Sequence, residues 1–576
     1  MRIASRAVPL LCALLALGAC QTARDGGEVA VSDTVYFESL PTQTAPLPAR
    51  ALAPPDALTP AAEPNREGYN PITENEFQDA TANPLSTFAI DVDAASYANV
   101  RRFLLNEGRM PPADAVRIEE LVNYFDYDYP DPRGDAPFSV VTEVGPAPWN
   151  PEHRLVHVGL QGRRIDAASL PPANLVFLVD VSGSMDAPDK LPLLKDAFLM
   201  LVDNLRPRDR VSIVVYAGAA GMVLGPTSGD EKARIRDAIT TLQPGGSTNG
   251  AEGIQLAYRL ARDAFVRGGN NRVILATDGD FNVGVSSDAE LVRLIERERQ
   301  SGIFLTVLGF GTGNLQDAKM EQLADRGNGN YAYIDAIDEA RKVLVGEMGG
   351  TLFAIAKDVK VQVEFNPARV KAYRLIGYEN RLLAAEDFND DTKDAGELGA
   401  GHSVTALYEV VPVGASDNPA RGVDPLRYQQ TRPRSPVVNA MNRLADRLGG
   451  APPASNDLLL VKLRYKAPDG DVSRLLSHPL RDRGASLAAA SPDFRFSAAV
   501  AEWGMLLRDS RFRGTSSYGE VARLARGALA SDRGGYRAEF LRMVEASQRF
   551  TYADARRGDP VERVTAPGRD EWTGDR

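Results

Sequence analysis

The stretch Leu175-Val176-Phe177-Leu178-Val179-Asp180-Val181-Ser182-Gly183-Ser184-Met185 decides how this 576-residue chain folds. Five apolar residues without alternation describe a strand covered on both faces, as in a parallel sheet. The strand runs straight into Asp, Ser and Ser at every second position. Outward from it the same grammar repeats. Val211 to Tyr216, Val273 to Ala276 and Phe304 to Leu308 are further near-continuous apolar runs. Between them, Leu191, Leu194, Phe198, Leu201 and Leu205 keep the three-to-four spacing of an amphipathic helix, as do Ile254, Ala257, Leu260 and Ala264. Alternating strands and helices over 172–350 predict a doubly wound, Rossmann-like α/β domain that closes with a helix from about Ile337 to Met348.

On either side the pattern changes. Ala95 to Glu107 and Asp114 to Phe125 read as helices in an N-terminal helical region, 81–135, with order beginning near Phe88. Phe138 to Val144 and Arg154 to Leu160 alternate as strands do, and strand patterns return at Val359 to Phe365, Val370 to Ile376, Val404 to Val411 and Leu458 to Tyr465. Because these two sets bracket the α/β domain, the expected architecture is one discontinuous β-sandwich, 136–171 and 352–480, with that domain inserted into it. A C-terminal helical region at 481–550 and a polar tail at 551–576 complete the chain.

Composition narrows the function. There are 66 Lys and Arg against 77 Asp and Glu, a net charge of -11. A general nucleic-acid binder needs a basic face to neutralise phosphates and is excluded. Both cysteines, Cys12 and Cys20, lie at the extreme N-terminus, so nothing downstream offers a disulfide, a Cys-ligated zinc or a thiol nucleophile. Arg2 and Arg6 followed by the apolar run Ala7 to Leu17 have the anatomy of a secretory signal, 1–19. Leu17-Gly18-Ala19-Cys20 resembles the lipobox of bacterial lipoproteins, which implies lipidation of Cys20. With Gln21 next, the resemblance favours the outer membrane, facing the periplasm, as the site of anchoring. The Pro-punctuated segment 20–80 then reads as an extended tether.

Oxygen-bearing side chains gather in three loops of the α/β domain: Asp180 to Ser184, Gly245-Gly246-Ser247-Thr248-Asn249-Gly250, and Thr277-Asp278-Gly279-Asp280. Ligands of open α/β sheets bind at the carboxyl ends of the strands, where these loops fall. Carboxylates and hydroxyls suit a hard divalent cation such as Mg²⁺. The arrangement resembles the metal-ion-dependent adhesion site of von Willebrand factor A domains: Asp180, Ser182 and Ser184 match its first motif, Thr248 its distant threonine and Asp278 its distant aspartate. The resemblance implies Mg²⁺, or Mn²⁺ or Ca²⁺, held directly by the three hydroxyls and through water by the aspartates. It also implies a protein partner that completes the ion's shell with an Asp or Glu.

Phe88-Ala89-Ile90-Asp91-Val92-Asp93, Arg117 to Phe125 and Pro148-Trp149-Asn150-Pro151 are similar to the N-terminal region of bacterial YfbK-like lipoproteins, which extends the likeness over most of the chain. The expected function is that of an envelope-anchored, non-enzymatic lipoprotein binding a partner through its cation. An envelope scaffold with a structural metal is the alternative. A metal-dependent hydrolase is disfavoured, because no general base accompanies the loops. Asp91-Val92-Asp93 is expected to be a turn or helix cap rather than a phosphatase nucleophile. The four histidines, all outside the α/β domain, are expected to be surface or structural residues, and Gly309 to Gly313 to be a tight strand-end loop.

Overall fold

The computed structural model describes residues 66–557 apart from 167, 219, 247–249, 280–287, 348–352, 421–454, 469, 530–531 and 533. The signal, Cys20, the tether up to residue 65 and the end of the polar tail lie outside the described residues, as does Thr248.

Two short strands, β1 (Gln78–Asp79) and β2 (Leu85–Ala89), precede two short helices, α1 (Ala95–Arg101) and α2 (Ile118–Asn123). Order therefore starts earlier than the expected Phe88. Residues 66–80 are hydrogen-bonded to the body, because Glu67, Gly68 and Tyr69 find partners there that the Pro-rich composition did not announce. The expected helical region is also partly strand. Its second helix begins only at Ile118, since Arg117 is extended at its N-cap. Strands β3 (Phe138–Ala147) and β4 (Asn150–Gly162) follow as a long antiparallel pair.

The α/β domain runs through β5 (Ala173–Asp180), α3 (Leu191–Asp203), β6 (Arg210–Tyr216), β7 (Ala220–Ser228), α4 (Lys232–Thr240), α5 (Gly250–Asp263), β8 (Asn270–Thr277), α6 (Asp288–Gln300), β9 (Ile303–Phe310), α7 (Asp317–Arg326), β10 (Tyr331–Ile334) and α8 (Ile337–Arg341). Its six-stranded sheet has the order β10-β9-β8-β5-β6-β7, parallel except for β7. Every residue of β5 and β8 is buried, because separate apolar layers cover the two faces: Leu175, Phe177 and Val179 look to one side, Val176 and Leu178 to the other. The chain turns from β6 on one side of β5 to β8 on the other, so the strand order switches at β5. The closing helix is shorter than expected. It passes at Lys342 into a single wide turn that ends at Gly346.

Beyond it come β11 (Ala354–Phe365), β12 (Val370–Ile376), β13 (Gly396–Gly399), β14 (Ser403–Pro412), β15 (Leu459–Lys466) and β16 (Arg474–Leu480). One sheet has the order β1-β12-β14-β4-β3; the other has β13-β11-β15-β16, with β2 also on β11. Both sheets thus mix strands from before and after the α/β domain. Val156, Val158, Val361, Val363, Val461 and Tyr408 fill the layer between them.

The last described helices are α9 (Pro492–Arg508), α10 (Tyr518–Arg526) and α11 (Tyr536–Arg557), the last continuing past the boundary expected at 550. They do not form a separate unit from the N-terminal helices. Tyr97, Val100, Leu121 and Phe125 share one core with Phe496, Trp503 and Phe540, because α1 and α2, at seven and six residues, are too short to bury an apolar face alone.

Candidate functional site

Strand β5 delivers Asp180 to the carboxyl edge of the sheet, and β8, paired to it in parallel, delivers Thr277 and then Asp278 beside it. Asp180 is completely buried. One carboxylate oxygen accepts from the Ser182 backbone N–H at 2.9 Å; the other accepts from Tyr216 Oη at 3.1 Å and Thr277 Oγ1 at 3.2 Å. All three donors are neutral. Burial pushes this carboxyl up to about 6, and the nearby charge of Asp278 works in the same direction. Asp180 is thus a carboxylate that a cation would stabilise.

Ser182 precedes a 3-10 turn, Gly183–Asp186, that folds the next serine back toward it. The two hydroxyl oxygens, Ser182 Oγ and Ser184 Oγ, stand 3.0 Å apart. Adjacent ligands of an octahedral ion with metal–oxygen bonds of about 2.0 to 2.1 Å are separated by about 2.9 Å, so the pair has the spacing of two neighbouring ligands. Ser182 is buried while Ser184 is exposed, which leaves the turn accessible from solvent. The second loop is stitched to the first. Gly245 N–H donates to Val181 O at 2.7 Å and Gly183 N–H to Gly246 O at 3.2 Å.

Asp278 accepts from Lys190 Nζ at 2.9 Å, and both groups are buried. Gly279 follows with φ +106°, and a Cβ there would lie 2.4 Å from Asn314 O, so this loop seats directly on residues 314–316. Along the same loop runs the first described segment of the chain. Arg66 N–H donates to Gly313 O at 2.8 Å, Gly68 N–H to Leu315 O at 2.9 Å, and Gly313 N–H to the Glu67 carboxylate at 3.0 Å.

The structure therefore brings together four of the five expected ligands, Asp180, Ser182, Ser184 and Asp278, while Thr248 lies outside the described residues. Lys190 and Tyr216 also belong to the site, although no sequence motif marks them, and Thr277, read from the sequence as part of the third oxygen-bearing loop, donates to Asp180. Tyr216 and Thr277 end the strands on either side of β5, a position a strand register reveals and a motif does not. Among the described residues no group of three His, Cys, Asp or Glu side chains is gathered as a metal site; the described oxygen donors are two hydroxyls and two carboxylates. That set fits a hard cation.

Elsewhere, carboxylates are abundant, and several face arginines. Asp91 Oδ1 accepts from the Asp93 backbone at 3.1 Å, Asp93 Oδ1 from Tyr331 N–H at 3.0 Å, and Arg381 binds Asp91 at 3.1 Å and Asp325 at 2.7 Å. Arg117 binds Glu120 and Asp317. These contacts form a buried charged seam between the N-terminal region, α7 of the α/β domain and the sandwich. Arg101 does the same at α8, reaching Glu339 at 2.7 Å and Glu539 of α11 at 2.9 Å. His153 lies against Glu409, and His157 between Tyr129 at 2.5 Å and Ser497 at 2.9 Å, deep in the body rather than near the loops.

Residues 174–344 match the family described as von Willebrand factor type A domain, residues 63–157 one described as von Willebrand factor, and residues 350–550 one described as Uncharacterized protein YfbK, C-terminal. The chain is 42% identical over 516 residues to Uncharacterized protein YfbK of Escherichia coli strain K12, covering 88% of this chain and 85% of that protein. It belongs to the YfbK family of A-domain proteins. Human inter-alpha-trypsin inhibitor heavy chain H4 is 31% identical over 162 residues, which are 27% of this YfbK-family chain and 17% of that protein. Among solved structures, von Willebrand factor type A from Catenulispora acidiphila aligns with 71% of the chain and 89% of its own length, at 16% identity and a TM-score of 0.36. Membership in the YfbK family and kinship with other A-domain proteins support an interaction role for the A domain.

Proposed function

We propose that this YfbK-family protein is a lipoprotein of the bacterial envelope that binds a protein partner through a divalent cation held in its A domain. The observation that carries the reading is the Ser182–Ser184 hydroxyl pair, 3.0 Å apart, beside a buried Asp180 that only neutral donors satisfy. Ser182, Ser184 and Thr248 would supply direct oxygen ligands, with Asp180 and Asp278 behind them; Mg²⁺ is the preferred ion, with Mn²⁺ or Ca²⁺ as substitutes. When bound, the cation supplies a Lewis-acidic position for a partner's Asp or Glu. The chain's own residues do the rest: the backbone of the 3-10 turn holds the two serines, and Tyr216 and Thr277 orient Asp180. Anchoring follows from lipidation of Cys20 after removal of 1–19, with the outer membrane as its place. No helix among the described residues is long and apolar enough to cross a membrane.

The reading is non-enzymatic. Among the described residues no histidine lies at the loops, and Asp278 is committed to Lys190. The test is a thermal melt of wild type and Asp180→Ala with Mg²⁺ and with EDTA. Wild type should be stabilised by Mg²⁺ and the variant should not, with similar melting in EDTA. An equal response in both ends the assignment. An envelope scaffold with a structural metal is the second reading, favoured by the buried ion pairs of Arg117 and Arg101 that fasten the A domain to the body. A partner captured equally by wild type and Asp180→Ala would select it.

A further inference from the structure

Lys190 is placed where a lysine is least expected. It occupies the N-cap of α3, the end at which the helix dipole repels a cation, and it is buried, only 7% of its surface remaining exposed. A buried ammonium persists only with a charged partner. That partner is Asp278, at 2.9 Å and itself sealed from solvent. The alkyl stem is seated as deliberately as the head. It lies across Gly311, where φ is +72° and an added Cβ would come within 2.4 Å of the lysine's Cγ and Cε. The central glycine of the Gly309 to Gly313 loop thus makes room for the stem that aims Lys190 at Asp278. Tyr333 fixes the loop by donating to Gly311 O at 2.8 Å.

We infer that Lys190 is a built-in counter-charge of the cation site, a positioning residue that sets how much negative charge the site offers. This rests on the reading of Asp180, Ser182, Ser184 and Asp278 as that site. Among the described buried groups at the loops, Asp180, Asp278 and Lys190 together leave a net charge of about -1. A divalent ion then keeps a surplus positive charge, available to an incoming carboxylate. Without the ammonium, Asp180 and Asp278 would neutralise the ion completely. Lys190 thus trades cation affinity for attraction toward an acidic ligand.

The experiment titrates the full-length chain with Mg²⁺ by calorimetry, comparing wild type, Lys190→Met, Lys190→Gln and Lys190→Arg, with melting in EDTA recorded for each. Met keeps the stem on Gly311, and Gln also keeps a donor for Asp278, so a folded uncharged variant is secured by two routes. Both uncharged variants should bind Mg²⁺ about tenfold more tightly or better, and Arg should remain near wild type. Tight binding by the uncharged variants with weak or no binding by wild type supports the inference equally. If wild type binds and the uncharged variants bind no more tightly, whatever happens to their melting, Lys190 is only a structural staple and the inference fails while the metal reading stands. If none of the four binds Mg²⁺, both fail together.

Discussion

Two acidic regions of this molecule make opposite use of carboxylates. The seam has more of them: Arg117 faces Glu120, Asp317 and Glu321, while Arg381 faces Asp91, Asp93 and Asp325. Among the described residues the A-domain loops have only two buried carboxylates, Asp180 and Asp278, beside two serines. Yet the poorer cluster is the one proposed to hold a cation. In the seam the guanidinium groups already occupy the space between the carboxylates, so the charge serves to fasten three parts of the chain together. In the loops hydroxyls would provide ligands without charge, and Asp180 has neutral hydrogen-bond donors. Acid density alone is a poor guide to a metal; what counts is whether another cation has already taken the carboxylates.

The contrast can be broken at its strongest point by Arg117→Ala. Removing this guanidinium strands the buried Glu120 and Asp317, and the variant should lose about 3 to 5 kcal/mol of unfolding free energy in denaturant melts while keeping its response to Mg²⁺. A loss below about 1 kcal/mol would mean that the seam is not a fastening. Acidification probes a buried group of neither region. Burial pushes His157 down to about 4 from an ordinary value near 6.5, so its contribution is complete above pH 6.5 and is lost as pH falls from 6.5 through 4. Wild type should lose up to about 3 kcal/mol across that window from this residue. His157→Gln should lack that component when the two pH profiles are compared.

At the loops, a Mg²⁺ concentration about one hundred times the dissociation constant should stabilise wild type by about 2.7 kcal/mol, a gain absent from Asp180→Ala. The smallest effect is expected on the surface. Arg341 and Asp338 pair at 2.7 Å but are 60% and 81% exposed. Arg341→Ala should therefore change stability by less than about 0.5 kcal/mol. A larger change there would show that pairing rather than burial controls the energetics, and would undo the comparison.

Sequence legibility followed the same divide. The apolar runs of β5, β6, β8 and β9 announced themselves because a strand buried on both faces has no reason to alternate. Strand β7 did not: it pairs on one side only, carries Gly221 and Gly225, and exposes Met222 and Val223, so neither period survives in it. Asp180, Ser182 and Ser184 are legible because one turn holds them. Lys190 is not, since a lysine shortly after Ser184 reads as an ordinary charge until β8 and the loop after β9 are folded around it. The seam was equally hidden, because Arg117 and Asp317 are 200 positions apart and nothing local ties them. The split sandwich was open to inference from bracketing strand patterns, but the shared core of the N- and C-terminal helices was not, as their apolar faces carry no mark of their partner.

The segment Arg66 to Tyr69 has one further consequence. It lies along residues 313–316 like the leading teeth of a zipper, and that loop supports Gly279 while its neighbour Gly311 supports Lys190. Tension applied at Arg66 from its N-terminal side reaches the Arg66–Gly313 hydrogen bond before it reaches either sheet of the sandwich. A pull at that point is therefore received first by the loop after β9, beside Asp278 and Lys190.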